Sequence, residues 1–277
     1  MEEEEEEKKE LNKFSWYPGH IAKAERELRE KISLIDIIVE LRDARIPFTS
    51  EHKDLETWAN GKKIISVLNK LDLADPSKTP EDFLAINSKE PKSLNVLIAE
   101  LGKAAQPIAE KFKKKGIVNR PARVMIVGYP NVGKSSLINA LAKNRKAKVE
   151  NRPGVTRQQQ WVDVKGKLNL KLLDTPGIIP AKLYSEDQAL KLALCNCVGD
   201  NAFDNLLVAR EMLKLVESLY PGVIAKAYGL EELSVEAYAE KKTMINNGEL
   251  NISKAAQSLI REFRDLRFGR ISLDRIK

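Results

Sequence analysis

At 277 residues, with 43% hydrophobic and 31% charged residues, the chain holds enough apolar material for one mid-sized and one small core. No apolar run approaches the ~18 residues of a membrane span, so no membrane partner is expected. The acidic start MEEEEEEKKE is neither a secretory signal nor an Arg-rich transit peptide, and a bacterial cytoplasm is the expected compartment.

The formal net charge of +7 conceals an asymmetry, because residues 1–10 hold seven Glu and two Lys. Residues 1–13 therefore read as a solvated acidic tail. Positive charge gathers at 110–123, 143–157 and 261–277, a distribution that draws polyanions, although such patches also serve solubility. Cys195 and Cys197 in KLALCNCVGD have no second Cys pair to complete a metal site. They read as ordinary helical thiols in a reducing compartment.

In chain order, SWYPGH interrupts regular structure, and IAKAERELREKI then sets Ile21, Ala24, Leu28 and Ile32 on one helical stripe. LIDIIVELRDAR predicts a buried strand that runs into a loop near Asp43; His52, in TSEHKD, is expected at the surface. KKIISVLNKLD predicts a second strand whose loop carries NKLD (Asn69 to Asp72). Residues 73–87 alone separate Asp72 from Ser88, a tight allowance for a parallel crossover, so at most one helical turn is expected near residues 79–82. FLAINSK (83–89) reads as a short strand. SLNVLIAELGKAAQPIAEKFKKK is a helix interrupted or kinked at Pro107.

RVMIVGYP (123–130) is the next strand and SSLINALAKN the helix after it. Strands around QQWVDVKG and LNLKLLDTPG follow a basic loop. From Pro180 onward only helical patterns are expected. DNLLVAREMLKLVESLY should bury Leu206, Leu207, Met212, Leu213, Val216 and Leu219. NISKAAQSLIREFRDLRFG aligns Ile252, Leu259, Ile260, Phe263 and Leu266, with Gly269 as its stop. The predicted fold class is α/β: a mostly parallel sheet with helices on both faces over 14–180, then a smaller all-α domain over 181–277.

NKLD, INSK, GYPNVGKS and DTPG each follow a strand-like run directly, and in such sheets functional loops gather at the carboxyl ends of the strands. GYPNVGKS (Gly128 to Ser135) matches G-x-x-x-x-G-K-[ST] between a strand and a helix, as a phosphate-binding loop requires. The amides of Asn131, Val132, Gly133, Lys134, Ser135 and Ser136 surround phosphates at a helix N-terminus. Lys134 reaches the β- and γ-phosphates and counts as catalytic, and Ser135 offers a hydroxyl to Mg²⁺. In DTPG, Asp174 is placed to hold the Mg²⁺ shell and the Gly177 N–H to meet the γ-phosphate.

NKLD reads the base. The carboxylate of Asp72 accepts two hydrogens from the guanine edge, Asn69 supports the loop, and the stem of Lys70 covers the ring. In INSK, Asn87 and Ser88 bring a backbone N–H toward the guanine carbonyl. Residues 34–120 thus hold base readers without a phosphate loop, and 123–180 the reverse. One site made from both is a GTP-binding domain whose chain order is circularly permuted. The alternative, a P-loop ATPase or kinase with a fortuitous NKLD, makes no use of Asp72.

The chain resembles the circularly permuted YlqF/RbgA-type GTPases, which assist assembly of the large ribosomal subunit. WYPGHIAKA, DARIP (Asp43 to Pro47), NKLD, INSK, GYPNVGKSS, RPGVTR, DTPGI and FGRISLD carry the resemblance over about residues 15–277. It implies GTP and GDP as ligands, Mg²⁺ as cofactor, and a basic C-terminal helical domain that contacts ribosomal RNA. It also implies that His20, of Pro-Gly-His, positions the attacking water; the other reading of His20 is a loop histidine that packs on or caps the next helix. Ile178 stands where Ras-like enzymes carry a Gln and can neither donate nor accept, so intrinsic turnover should be slow. Thr156 of RPGVTR is the candidate switch hydroxyl on Mg²⁺. Asn131 either helps bind K⁺ beside the phosphates, as in related GTPases, or supports the loop by hydrogen bonding. The functional expectation is a monomeric, ribosome-stimulated GTPase that binds the maturing subunit and leaves on hydrolysis. A GTP-dependent RNA-binding module in which hydrolysis is incidental is the second reading.

Overall fold

β1 (Ile37–Asp43) is buried along its whole length, as a strand covered on both faces requires, with Ile37, Ile38, Val39 and Leu41 joined by buried Glu40, Arg42 and Asp43. The computed structural model describes residue 26 and residues 29–143, 160–164, 169–175, 185–246 and 248–275. After β1 come α1 (Leu55–Ala59), β2 (Lys63–Asn69), β3 (Leu84–Ala85), α2 (Asn95–Lys113), β4 (Ala122–Val127), α3 (Lys134–Lys143), β5 (Gln160–Val164) and β6 (Leu170–Asp174).

These strands form one six-stranded sheet in the order β3-β2-β1-β4-β6-β5. All neighbours are parallel except β5, which pairs antiparallel with β6 at the edge. The chain therefore enters the sheet at its centre, moves out to β3, returns to β4 beside β1, and fills the other side. This is the permuted order that the motifs implied. Arg120 closes the returning connection: its two terminal nitrogens donate to Asp36 at 2.8 and 3.2 Å, just ahead of β1. α1 packs on β2, α2 on β4, and α3 on β5 and β6. α2 runs unbroken through Pro107, so the expected interruption does not occur.

The β2–β3 crossover is made within the short allowance, with Val67 level with Leu84 and Leu68 with Ala85. Its single helical turn spans Pro76–Lys78, earlier than expected. The side chain of Asp75 sets that place by accepting from the Ser77 amide and hydroxyl at 2.9 and 2.8 Å, which nucleates the turn from its N-terminal side.

Contacts divide the molecule into two units. The sheet unit lies within 18–72 and 79–181, and the helical unit comprises 73–78 together with residues from 182 onward. In the helical unit, α4 (Glu186–Leu194), α5 (Asn205–Leu219), α6 (Val223–Tyr228), α7 (Val235–Lys241) and α8 (Ile252–Arg264) surround an apolar core. Ser185, Asp204, Ser234 and Asn251 cap four of these helices by accepting from amides two or three residues on.

Three sequence expectations are corrected there. Residues 245–250 hold a hairpin, β7 (Ile245–Asn246) with β8 (Glu249–Leu250), turning at Gly248 with φ +84°. On α5 the deeply buried residues are Val208, Ala209, Met212, Leu213 and Val216, whereas Leu206, Leu207 and Leu219 are half-buried, because the Asp204 cap fixes the phase of the helix. Leu266 lies past the end of α8 with φ +62°, so the chain turns before Gly269. Cys195 and Cys197 are buried free thiols at the end of α4.

Candidate functional site

β4 ends at Val127, and the chain turns through Gly128 to Gly133 into the first turn of α3. Two glycines are required by geometry. Gly128, at φ +151°, would place a Cβ 2.3 Å from the Leu41 carbonyl oxygen; Gly133, at φ +102°, would place one 2.3 Å from Asn69 Nδ2. Lys134 is buried and its ammonium donates to the Gly128 and Tyr129 carbonyls at 3.1 and 2.8 Å. It is thus folded back across its own loop. Asn131 sits at the exposed tip with φ +57°, Val132 is fully buried, Ser135 is half-buried and Ser136 exposed. Behind the loop, the Thr175 hydroxyl of DTPG donates to the Ile126 carbonyl at 2.6 Å, which brings the end of β6, where Asp174 stands, beside the end of β4.

NKLD meets GYPNVGKS through the side chain of Asn69. Asn69, buried at the end of β2, donates from Nδ2 to the Val132 carbonyl at 2.8 Å and accepts on Oδ1 from the Ser88 amide at 3.0 Å. NKLD, GYPNVGKS and INSK are therefore tied at a single residue. The Ser88 amide is engaged there, the Asn87 side chain accepts from the Lys89 amide at 3.0 Å, and the Asn87 amide donates to Ser93 Oγ at 2.8 Å. Asp72 receives Lys89 Nζ on Oδ2 at 3.3 Å, while its Oδ1 is buried with no hydrogen-bond partner. An orphaned buried carboxylate oxygen is costly and needs a reason. A ligand edge with two N–H donors supplies one.

Lys70 departs from a simple base cover. It adopts φ +63° and its ammonium donates to Asp43 Oδ2 at 2.9 Å. Asp43 ends β1 level with Asn69 across the parallel pair, and it also receives Arg45 Nε and NH2 at 3.0 and 2.8 Å. Burial alone would raise the Asp43 carboxyl, but the charges and hydrogen bonds of Arg45 and Lys70 hold it far below the usual carboxylate range. DARIP by itself gives no role to Asp43 or Arg45. The available signal was an acid at the end of a strand that borders the NKLD strand.

His52 is buried rather than exposed. Its amide donates to Glu40 Oε1 at 2.7 Å, and its ring lies 4.5 Å from the Trp58 ring. Glu40 also takes Arg42 Nε at 2.8 Å and Ser66 Oγ at 3.0 Å, so a buried network beneath the strand ends draws this segment inward. His20, Thr156, Gly177 and Ile178 lie outside the described residues, and of Asp174 only the backbone position is described.

A family model described as a 50S ribosome-binding GTPase matches residues 123–245, starting at the strand that leads into the phosphate loop. Ribosome biogenesis GTPase A of Bacillus licheniformis is 41% identical over 279 aligned residues, covering 95% of this chain and 98% of that protein. The protein of the same name from Thermotoga maritima is 33% identical over 266 residues, covering 95% and 94%. Among solved structures, GNP-bound YlqF from T. maritima aligns with a TM-score of 0.62 and 27% identity, covering 91% of this chain and 98% of that one.

Proposed function

The chain belongs to the ribosome biogenesis GTPase A family, and from that premise we propose that it is a GTP-controlled assembly factor that binds the maturing large ribosomal subunit and is released on hydrolysis. The observation that carries the reading is the Asn69 bridge, which makes one site of NKLD, INSK and the phosphate loop and leaves Asp72 Oδ1 free for a donor edge. Guanine presents a ring N–H and an exocyclic amine to that carboxylate. Adenine presents a ring acceptor and no amine there, so the oxygen would stay orphaned.

In this reading Asn69, Lys70, Asp72, Asn87 and Ser88 bind the base. Asn131 through Ser136 and Gly177 bind the phosphates. Lys134 exchanges its two carbonyl partners for phosphate oxygens and stabilises charge that develops as the γ-phosphoryl group transfers. Ser135, Thr156 and Asp174 would hold Mg²⁺, which would supply charge neutralisation to the phosphates. His20 orients the attacking water, the task that Ile178 cannot perform, and Asn131 contributes to a K⁺ site. Residues 14–180 act as the GTP-binding domain, and 181–277 as the RNA-contacting domain, presenting exposed Arg261, Arg267, Arg270 and Arg275 to phosphates. The protein works as a monomer in the bacterial cytoplasm. Among the described residues no helix is long and apolar enough to cross a membrane.

The test is GTP turnover in K⁺/Mg²⁺ buffer with and without purified bacterial large ribosomal subunits. Turnover should be slow alone and rise at least ~10-fold with subunits, well inside the range that a supplied catalytic group commands in other GTPases. His20→Ala should bind GTP like the parent and lose the stimulation. Tight GTP binding with no stimulation by mature or immature subunits would instead favour a binding module in which only the bound nucleotide matters.

A further inference from the structure

Asp43 is fully buried, and both of its oxygens are occupied. Oδ1 accepts from the Arg45 amide and Nε, each at 3.0 Å; Oδ2 accepts from Arg45 NH2 at 2.8 Å and Lys70 Nζ at 2.9 Å. One carboxylate thus answers two cations, of which Arg45 is almost completely enclosed and Lys70 reaches the site edge with 18% of its side chain exposed. The backbone at Lys70 is equally constrained. Its φ of +63° is a conformation that residues other than Gly, Asn and Asp seldom take. On one side the Asn69 carbonyl accepts from the Ala44 amide at 2.8 Å, and on the other the Leu71 amide donates to the Ile86 carbonyl at 3.2 Å. With the backbone fixed at both flanks and the ammonium fixed at its tip, the methylene stem between them loses most of its rotamer freedom before any ligand arrives. A lysine stem otherwise surrenders that freedom on binding.

We infer that Asp43 is a positioning residue for guanine-nucleotide binding: it holds Lys70 so that the methylene stem stands preformed as an apolar wall beside Asp72, with Arg45 as the partner that anchors the carboxylate. The proposal rests on reading Asn69 to Asp72 as the base-recognition loop. It deepens that reading by assigning the Asp-Ala-Arg turn to nucleotide affinity rather than to catalysis.

A double-mutant cycle on fluorescent mant-GDP binding tests it in the full chain. Lys70→Met keeps the stem and removes the charge. Asp43→Asn removes the counter-charge, and Asp43→Glu keeps that charge opposite Arg45 but displaces the oxygens by one methylene. Each single variant should lose about tenfold in GDP affinity, with KM for GTP rising by more than kcat falls. In the Lys70→Met background, Asp43→Asn should cost no further affinity, because its effect passes through Lys70.

Should Asp43→Asn unfold on losing the charge that faces Arg45, the same cycle is run with Asp43→Glu. Losses that add across the cycle, or an Asp43→Glu protein that binds GDP like the parent, overturn the proposal. Asp72→Asn separates this from failure of the underlying reading. If that variant keeps its preference for guanine over xanthine, the base loop itself is misassigned. If it switches while the cycle is additive, only the positioning role falls.

Discussion

Residues with positive φ serve different ends in the two units. In the described part of the helical unit they mark where helices and the hairpin stop: Gly222 and Gly229 flank α6, Thr243 follows α7, Gly248 turns the hairpin, and Leu266 follows α8. In the sheet unit, Asn60 and Gly61 do the same after α1. Lys70, Gly128, Asn131 and Gly133, however, lie in the loops at the carboxyl ends of β2 and β4. Of these, Gly128 and Gly133 bring backbone against the Leu41 carbonyl and Asn69 Nδ2. The difference separates conformations kept for chain reversal from conformations kept for close approach, since a Cβ at either of these two glycines would fall 2.3 Å from a neighbouring atom.

Chemistry at the base gives the sharpest test, because it spares the backbone altogether. Asp72→Asn replaces an acceptor by an amide whose N–H₂ suits the 2-carbonyl of xanthine and opposes the 2-amine of guanine. The guanine-over-xanthine preference should reverse, a swing of roughly 10⁴-fold of the kind seen when buried polar groups are left unpaired. Competition binding against mant-GDP reads it, and an unchanged preference would remove Asp72 from the base site.

Backbone comes next. Gly133→Ala sets a Cβ against Asn69 Nδ2 at 2.3 Å and must break the bridge that joins the loops, so GDP affinity should fall by at least ~100-fold, about 2.7 kcal/mol. Gly222→Ala shares a positive φ of +73° but meets nothing within 4 Å. That variant should lose only about 1 kcal/mol of stability, a fall in Tm of roughly 2–4 °C, with GDP binding intact. Equal effects on binding would erase the distinction between the two kinds of positive-φ residue.

What the sequence made legible follows the range of the interactions involved. GYPNVGKS and NKLD are contiguous strings in a strand–loop context, and their reversed order alone implied the permuted sheet. Helix caps such as Asp204 are equally local. The Asp43–Lys70 ion pair joins residues 27 positions apart on neighbouring strands, and no local pattern foretells that the two strand ends stand level. His52 follows the same rule: its polar neighbours suggest solvent, but Glu40, 12 residues earlier, accepts from its amide in the interior. The hairpin at 245–250 carries a local sign, Asn-Gly at 247–248, set between segments of helical periodicity.

A stability effect close in size to that of Gly222→Ala lies elsewhere in the helical unit, where the segment after NKLD is held by Tyr220. Its hydroxyl donates to Asp75 Oδ2 at 2.9 Å and accepts from the Ser272 amide at 3.0 Å, while Lys78 Nζ lies 3.7 Å over the ring. Tyr220→Phe keeps the ring and strands those partners, a cost of ~1–2 kcal/mol measurable as a lower urea midpoint. The loss has a pH signature. Burial, and then the neighbouring Asp75, push the Tyr220 phenol up from its ordinary 10.0 to about 12. A raised pKa in the folded state contributes stability that is complete below the unfolded value and is lost as pH climbs through the folded one. The parent's urea midpoint should therefore drop between about pH 10 and pH 12 more steeply than that of Tyr220→Phe, and the difference between the two proteins cancels the titration of other groups.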